Sequence, residues 1–250
     1  MNEDLNDNLE PLSRLPRAYR DVGFMDTTEA RPIRILAEYL HPMQHFREHQ
    51  VHDTIVFFGS ARIFEASPMG RYYRDARHLA QRLTRWSDGL GSSTRRFVVA
   101  SGGGPGIMEA ANRGAFDVGA PTVGFNISLP REQFPNPYLT PGLCFRFHYF
   151  AIRKLHLVQR ARALVAFPGG YGTFDELFET LTLAQTRKIR PLPIVLVGES
   201  FWRQAFNVDF LVAEGVIDPE DRDLFWYAES AHDIWESILG WWEKAGAPLI

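Results

Sequence analysis

Residues 163–167, ALVAF, run directly into Pro168-Gly169-Gly170-Tyr171-Gly172-Thr173 and then into FDELFETLTLAQTRK. Five consecutive apolar residues are too few for a helix and lack the alternation of a half-exposed strand, so they suit a parallel strand buried on both faces. The glycine-rich hexapeptide is the turn, and the apolar spacing beyond it is helical, near 173–188. The same rhythm recurs along the chain. Short apolar runs stand at 54–59 (TIVFFG), 97–101 (FVVAS), 122–126 (TVGFN) and 193–198 (PIVLVG). Helical stretches fall near 69–86, 105–118, 150–161 and 200–213, and 231–244 (AHDIWESILGWWEK) reads as a closing helix. Alternation of buried strands with amphipathic helices predicts an α/β fold, a doubly wound parallel sheet with helices on both faces.

The chain of 250 residues, 45% hydrophobic and 13% aromatic, can bury one substantial core, which predicts a single Rossmann-like domain over 51–250. Residues 1–28 lack apolar periodicity, whereas Ile33, Leu36, Ala37, Leu40, Met43 and Phe46 recur at helical steps despite Pro32 and Pro42. Residues 1–50 are therefore expected to form a tail and a helical extension, as one helix or two short ones. Lys+Arg 27 against Asp+Glu 30 gives a net charge of −3 with mixed signs, which offers no broad basic face to a nucleic-acid backbone. A single cysteine, Cys144, and an acidic, polar start point to a cytoplasmic protein. No run approaches the roughly 18 apolar residues of a membrane span.

Both glycine-rich turns sit where a strand ends and a helix begins, the place at which parallel sheets bind ligands. In PGGYGT the glycines turn tightly and present amides while the helix start adds partial positive charge, so phosphate is the natural guest. Thr173 can donate its hydroxyl to that phosphate or cap the helix. The other turn, Ser101-Gly102-Gly103-Gly104-Pro105-Gly106-Ile107-Met108-Glu109, places Ile107 where a dinucleotide fingerprint requires a small residue, and no acidic residue closes the next strand near Phe125. A Walker lysine is also absent. A mononucleotide lying across two adjacent turns fits better than NAD or ATP. Acidic Asp175 and Glu176 at a helix start complement its dipole, but basic Arg153 and Lys154 at the start of another run against it and call for an anionic partner or an ion pair.

Taken together, these residues resemble the Lonely guy (LOG) family of cytokinin-activating phosphoribohydrolases and its longer bacterial relatives. The likeness runs from about Thr54 to Gly198 and rests on Gly59-Ser60, SGGGPGIMEAANRGA, the Arg153-Lys154 pair and PGGYGTFDE. It implies Arg153 and Glu176 as catalytic residues. It also implies a nucleotide site drawn from Gly59, Ser60, Gly102, Gly103, Gly104, Gly106, Met108, Glu109, Arg153, Lys154, Pro168, Gly169, Gly170, Tyr171, Gly172, Thr173 and Asp175. The reaction expected is hydrolysis of the N-glycosidic bond of AMP or an N6-substituted AMP, giving free base and ribose 5-phosphate. FAIRK lacks the acidic residue common before the Arg-Lys pair, and the extension through residue 50 is a further departure from short members.

A carboxylate such as Glu176 would stabilise the oxocarbenium charge at C1′ or take a proton from water, while Arg153, always charged, would act as a fork. No cofactor is expected, and His41, His45, His49 and His52 are read as a solvated or interface face rather than a metal site. Family members often carry a lysine decarboxylase label, but no pyridoxal lysine is evident. Apolar excess near 150–161 and Trp235, Trp241 and Trp242 predict a homodimer. A carrier binding a nucleotide or cofactor without hydrolysis is the competing reading, and a nucleosidase answering to a regulatory nucleotide is a third.

Overall fold

The computed structural model describes residues 14–91, 93–129 and 134–244. Two compact units divide the chain, Met1–His41 and Pro42–Ile250. In the first, the Asp21 carboxylate accepts from the Phe24 amide at the start of the short helix α1 (Val22–Met25), and the Arg34 guanidinium donates to the carbonyls of Met25 and Thr27. Helix α2 (Arg31–Glu48) is one helix with Pro42 inside it, not two. Its apolar positions Ile33, Leu36 and Leu40 are exposed, and Phe46 is buried.

The second unit is one parallel sheet of seven strands: β1 (Thr54–Phe58), β2 (Val98–Ser101), β3 (Thr122–Ile127), β4 (Cys144–Phe147), β5 (Ala161–Ala166), β6 (Ile194–Val197) and β7 (Trp226–Ala228). Their order is β4-β3-β2-β1-β5-β6-β7, and every pairing is parallel. Around them lie α3 (Gly70–Asp88), α4 (Ile107–Phe116), α5 (Phe150–Gln159), α6 (Tyr171–Gln185), α7 (Glu199–Ala205), α8 (Val208–Ala213) and α9 (Ala231–Lys244). This is the doubly wound, Rossmann-like architecture expected. Strand alternation splits the core in two: Ile55, Phe57, Ala163 and Val165 face a layer shared with α3, α4 and α9, while Val56, Phe58, Leu164 and Ala166 face one shared with α5, α6 and α7. Trp235 and Trp242 of α9 are buried in the first layer, so the expected tryptophan seam is core at these two positions.

Three differences from the sequence reading have local causes. Strands β4 and β7 were not foreseen: β4 alternates exposed and buried positions at the sheet edge, and β7 has only three residues. The helix expected over 200–213 is broken, because Phe206 is extended and the Asn207 side chain caps α8 by accepting from the Phe210 amide at 3.1 Å. At the amino edge of the sheet, buried Asp53 accepts from the Phe97 amide (2.6 Å) and pairs with Arg96 (2.7 Å) and Arg162 (3.3 Å), joining the starts of β1, β2 and β5. No helix among the described residues is long and apolar enough to cross a membrane.

Candidate active site

The strand order reverses beside β1, whose neighbours are β2 and β5, and a crevice opens there beyond the carboxyl ends of the strands. Ser60, just past β1, ties the two glycine turns together through its backbone. Its amide donates to the Pro168 carbonyl (3.0 Å) and its carbonyl accepts from the Ile107 amide (3.1 Å). Gly106 has φ of +71°, and a Cβ there would lie 2.4 Å from the Ser60 carbonyl oxygen, so only glycine lets the second turn approach the first.

The turn after β5 opens α6 at Gly170, and no side chain caps that helix end. The capping role considered for Thr173 is therefore not realised. Thr173 is buried, and a Cβ on Gly169 would stand 2.1 Å from its hydroxyl oxygen, whereas Gly170 and Gly172 face open space. The first-turn amides of α6 are thus available to an anion.

The turn after β2 is braced from beneath by buried side chains. Asn136 donates through its backbone amide to the Gly103 carbonyl (2.9 Å), and through its side-chain amide to the Gly104 carbonyl (3.1 Å) and Asn112 Oδ1 (2.9 Å). Ser101 Oγ donates to the same Asn112 oxygen at 2.6 Å and accepts from the Gly103 amide at 3.0 Å. Sequence reasoning missed both asparagines. Asn112 gave a signal, a lone polar residue on an alanine- and glycine-rich helix face; Asn136, in the loop segment FPNPY, gave none.

Between the turns lies a pair of opposite charges. Arg153, in the first turn of α5, is buried, and Glu176, in the second turn of α6, is largely covered, with Arg153 Nη1 at 2.8 Å from Glu176 Oε1. Arg153 Nε also donates to the Phe125 carbonyl at 2.6 Å, so the guanidinium is fixed at both ends. A Cβ on Gly102 would fall 2.5 Å from Arg153 Nη2, so the first glycine turn is cut to admit this arginine. Burial pushes the Glu176 carboxyl above its ordinary value, and the Arg153 charge and hydrogen bond oppose that shift.

A cleft of about 1110 Å³ collects Gly59, Ser60, Gly102, Gly104, Met108, Arg153, Gly170, Tyr171, Gly172, Thr173 and Glu176 from the residues singled out in the sequence. Ile127, Leu129 and Phe150 add an apolar wall that the motifs did not announce. Other expected residues stand back from it. Gly103, Gly106, Pro168 and Gly169 shape the turns without lining the cleft. Glu109 accepts from the Tyr73 hydroxyl at 2.9 Å. Lys154 pairs with Asp175 (3.2 Å) and Glu179 (3.0 Å) on the outer side of α6, so the anionic partners of the Arg-Lys pair are carboxylates of the chain itself. His45 and His49 stack on each other at 6.2 Å, and among the described residues no three potential metal ligands come together.

The chain is 31% identical over 140 residues to the "Probable cytokinin riboside 5'-monophosphate phosphoribohydrolase LOGL5" of Oryza sativa subsp. japonica, covering 55% of this chain and 56% of that one. It is 30% identical over 141 residues to the "Cytokinin riboside 5'-monophosphate phosphoribohydrolase LOG1" of Arabidopsis thaliana, covering 55% and 64%. The match thus spans less than two thirds of either plant protein. The molybdenum cofactor binding protein of the phototrophic bacterium Rippkaea orientalis shares the fold at a TM-score of 0.52 and 19% identity, over 76% of this chain and 98% of that one. A family model described as "Possible lysine decarboxylase" matches residues 108–238, more than half of the chain, and with the phosphoribohydrolase relatives this places the protein in the LOG family.

Proposed function

We propose that the protein hydrolyses the N-glycosidic bond of a purine nucleoside 5′-monophosphate, AMP or an N6-substituted AMP. The observation that carries this reading is the largely covered Arg153–Glu176 pair, 2.8 Å apart, set between two glycine turns in one cleft. Uncapped amides of α6 and the Thr173 hydroxyl hold the 5′-phosphate, as in other helix-start anion sites. The purine lies against the apolar wall of Met108, Ile127, Leu129 and Phe150.

Water adds its oxygen to C1′ as the C1′–N9 bond breaks, and the bond's electron pair leaves with the purine, which takes up a proton from solvent. Glu176 accepts the proton shed by the attacking water and later returns it to solvent. Its ionised form also faces the positive charge that develops on the ribose. A raised carboxyl value brings this base nearer to neutrality, where such a group works best. Arg153 keeps Glu176 ionised and aimed, and has no proton to give at neutral pH.

The test is base release from AMP, an N6-substituted AMP and adenosine, followed by chromatography. Turnover of the monophosphates with adenosine far poorer is expected, and equal turnover of adenosine and AMP removes the phosphate-loop assignment. Tight nucleotide binding without base release from any of the three replaces hydrolysis by the carrier reading.

A further inference from the structure

A second concavity, of about 530 Å³, lies at the opposite edge of the sheet, where β5 and β6 begin. Its walls bring together Arg160, Arg162, Lys188 and Arg190 beside Trp242, with Asp53 as the sole carboxylate among the described residues. Four permanent cations against one acid is a strong local bias in a chain whose net charge is −3. The acid is already committed, since Asp53 is shared by Arg96, Arg162 and the Phe97 amide.

The cations fall into two kinds. Arg160 is fixed, donating to the His52 carbonyl at 3.0 Å and lying over the Phe46 ring, and Arg162 is held by Asp53 with its guanidinium over Trp242 at 5.7 Å. The side chains of Lys188 and Arg190 are exposed and carry no ion pair or hydrogen bond among the described residues. Compensation of helix dipoles does not account for the second kind. That effect fades within the last turn, whereas Lys188 and Arg190 lie past the end of α6 at Gln185, in a loop that also places Arg187 at φ of +57°, a backbone position that favours glycine.

We propose that this pocket is a second anion site, which takes the polyphosphate group of a small phosphorylated ligand, separate from the mononucleotide cleft. Its volume lies within the range of small-molecule sites. Two anchored guanidiniums give a fork geometry suited to phosphate oxygens, and the two exposed cations add charge from the loop side. The proposal goes beyond the hydrolase reading and does not depend on it.

Calorimetric titration of the full chain with inorganic tripolyphosphate, and separately with a nucleoside triphosphate, tests it without reading base release. Both are expected to bind, with affinity falling as salt rises. Lys188→Ala/Arg190→Ala should weaken tripolyphosphate by roughly tenfold or more, Lys188→Arg/Arg190→Lys should restore it, and Thr173→Val in the cleft should leave it unchanged. The proposal is overturned by absence of tripolyphosphate binding up to about 1 mM. It is equally overturned if affinity is lost in Thr173→Val but kept in the double alanine variant, or if a short single-stranded RNA binds this face more tightly than tripolyphosphate.

Discussion

Glu176→Gln separates chemistry from architecture. The amide keeps the size of the side chain and leaves an oxygen able to accept from Arg153 Nη1, now 2.8 Å from the carboxylate. What disappears is the charge. In stability, the ion-pair hydrogen bond, worth about 1.5–3 kcal/mol, becomes a weaker bond from the still charged Arg153 to a neutral acceptor, and the arginine loses its counter-charge. The buried carboxylate also carries a desolvation cost, visible in its raised value, which the amide escapes. These changes oppose each other, so the net loss of stability should be about 1–2 kcal/mol, a melting shift of roughly 2–8 °C for a chain of this size. Loss of one preorganised electrostatic partner costs far more in rate, on the order of a hundred- to a thousandfold, or about 2.7–4 kcal/mol. The variant should therefore remain folded at assay temperature and bind AMP by calorimetry, yet release base at least about a hundredfold more slowly in single turnover. Base release at the parental rate refutes the role of Glu176.

The pH profile of base release follows from the same pair: the acidic limb should lie above the ordinary carboxylate range, and Arg153→Ala should move it higher, since the arginine is what opposes the upward shift. For stability the sign is the reverse of a usual salt-bridged acid, because folded Glu176 binds its proton more tightly than the unfolded chain does; urea midpoints should fall for the parent relative to Glu176→Gln as pH rises out of the carboxylate range. Gly102→Ala places a Cβ 2.5 Å from Arg153 Nη2, a group pinned by both Phe125 and Glu176, so it should cost about 1–3 kcal/mol and depress turnover, and an unchanged rate refutes the fixed-fork geometry. Exposed Phe150 and Leu155 on α5 and Phe178 on α6 support the expectation of a homodimer, which light scattering showing a monomer at micromolar concentration removes.

The central strands β1, β2, β3, β5 and β6 were legible because burial on both faces writes an unbroken apolar run. At the edges that rule lapses. Cys144–Phe147 alternates as a half-exposed strand over four residues, too short to stand out from loop, and Trp226–Ala228 is shorter still. The Gly-rich turns were legible because their backbone geometry demands glycine, as at Gly106. The Arg153–Glu176 pair was legible only as two residues at two helix starts. Their meeting comes from topology, since α5 and α6 both begin at the carboxyl edge while β5 runs between them. Asn136 could not be found from the sequence, because its role rests on a loop folding back beneath Gly103 and Gly104, a tertiary contact with no periodicity to announce it.

Ser60 joins the two turns through its own amide and carbonyl, atoms that every amino acid except proline supplies in full. The spacing between the two glycine turns is therefore shielded from most side-chain replacements at that position. Variation can accumulate instead at Met108, Ile127, Leu129 and Phe150, which shape the wall and bear none of the load of spacing the turns. On the proposed hydrolase reading, descendants of such a scaffold are free to exchange one base for another while keeping the same grip on ribose phosphate, without the cradle having to be rebuilt.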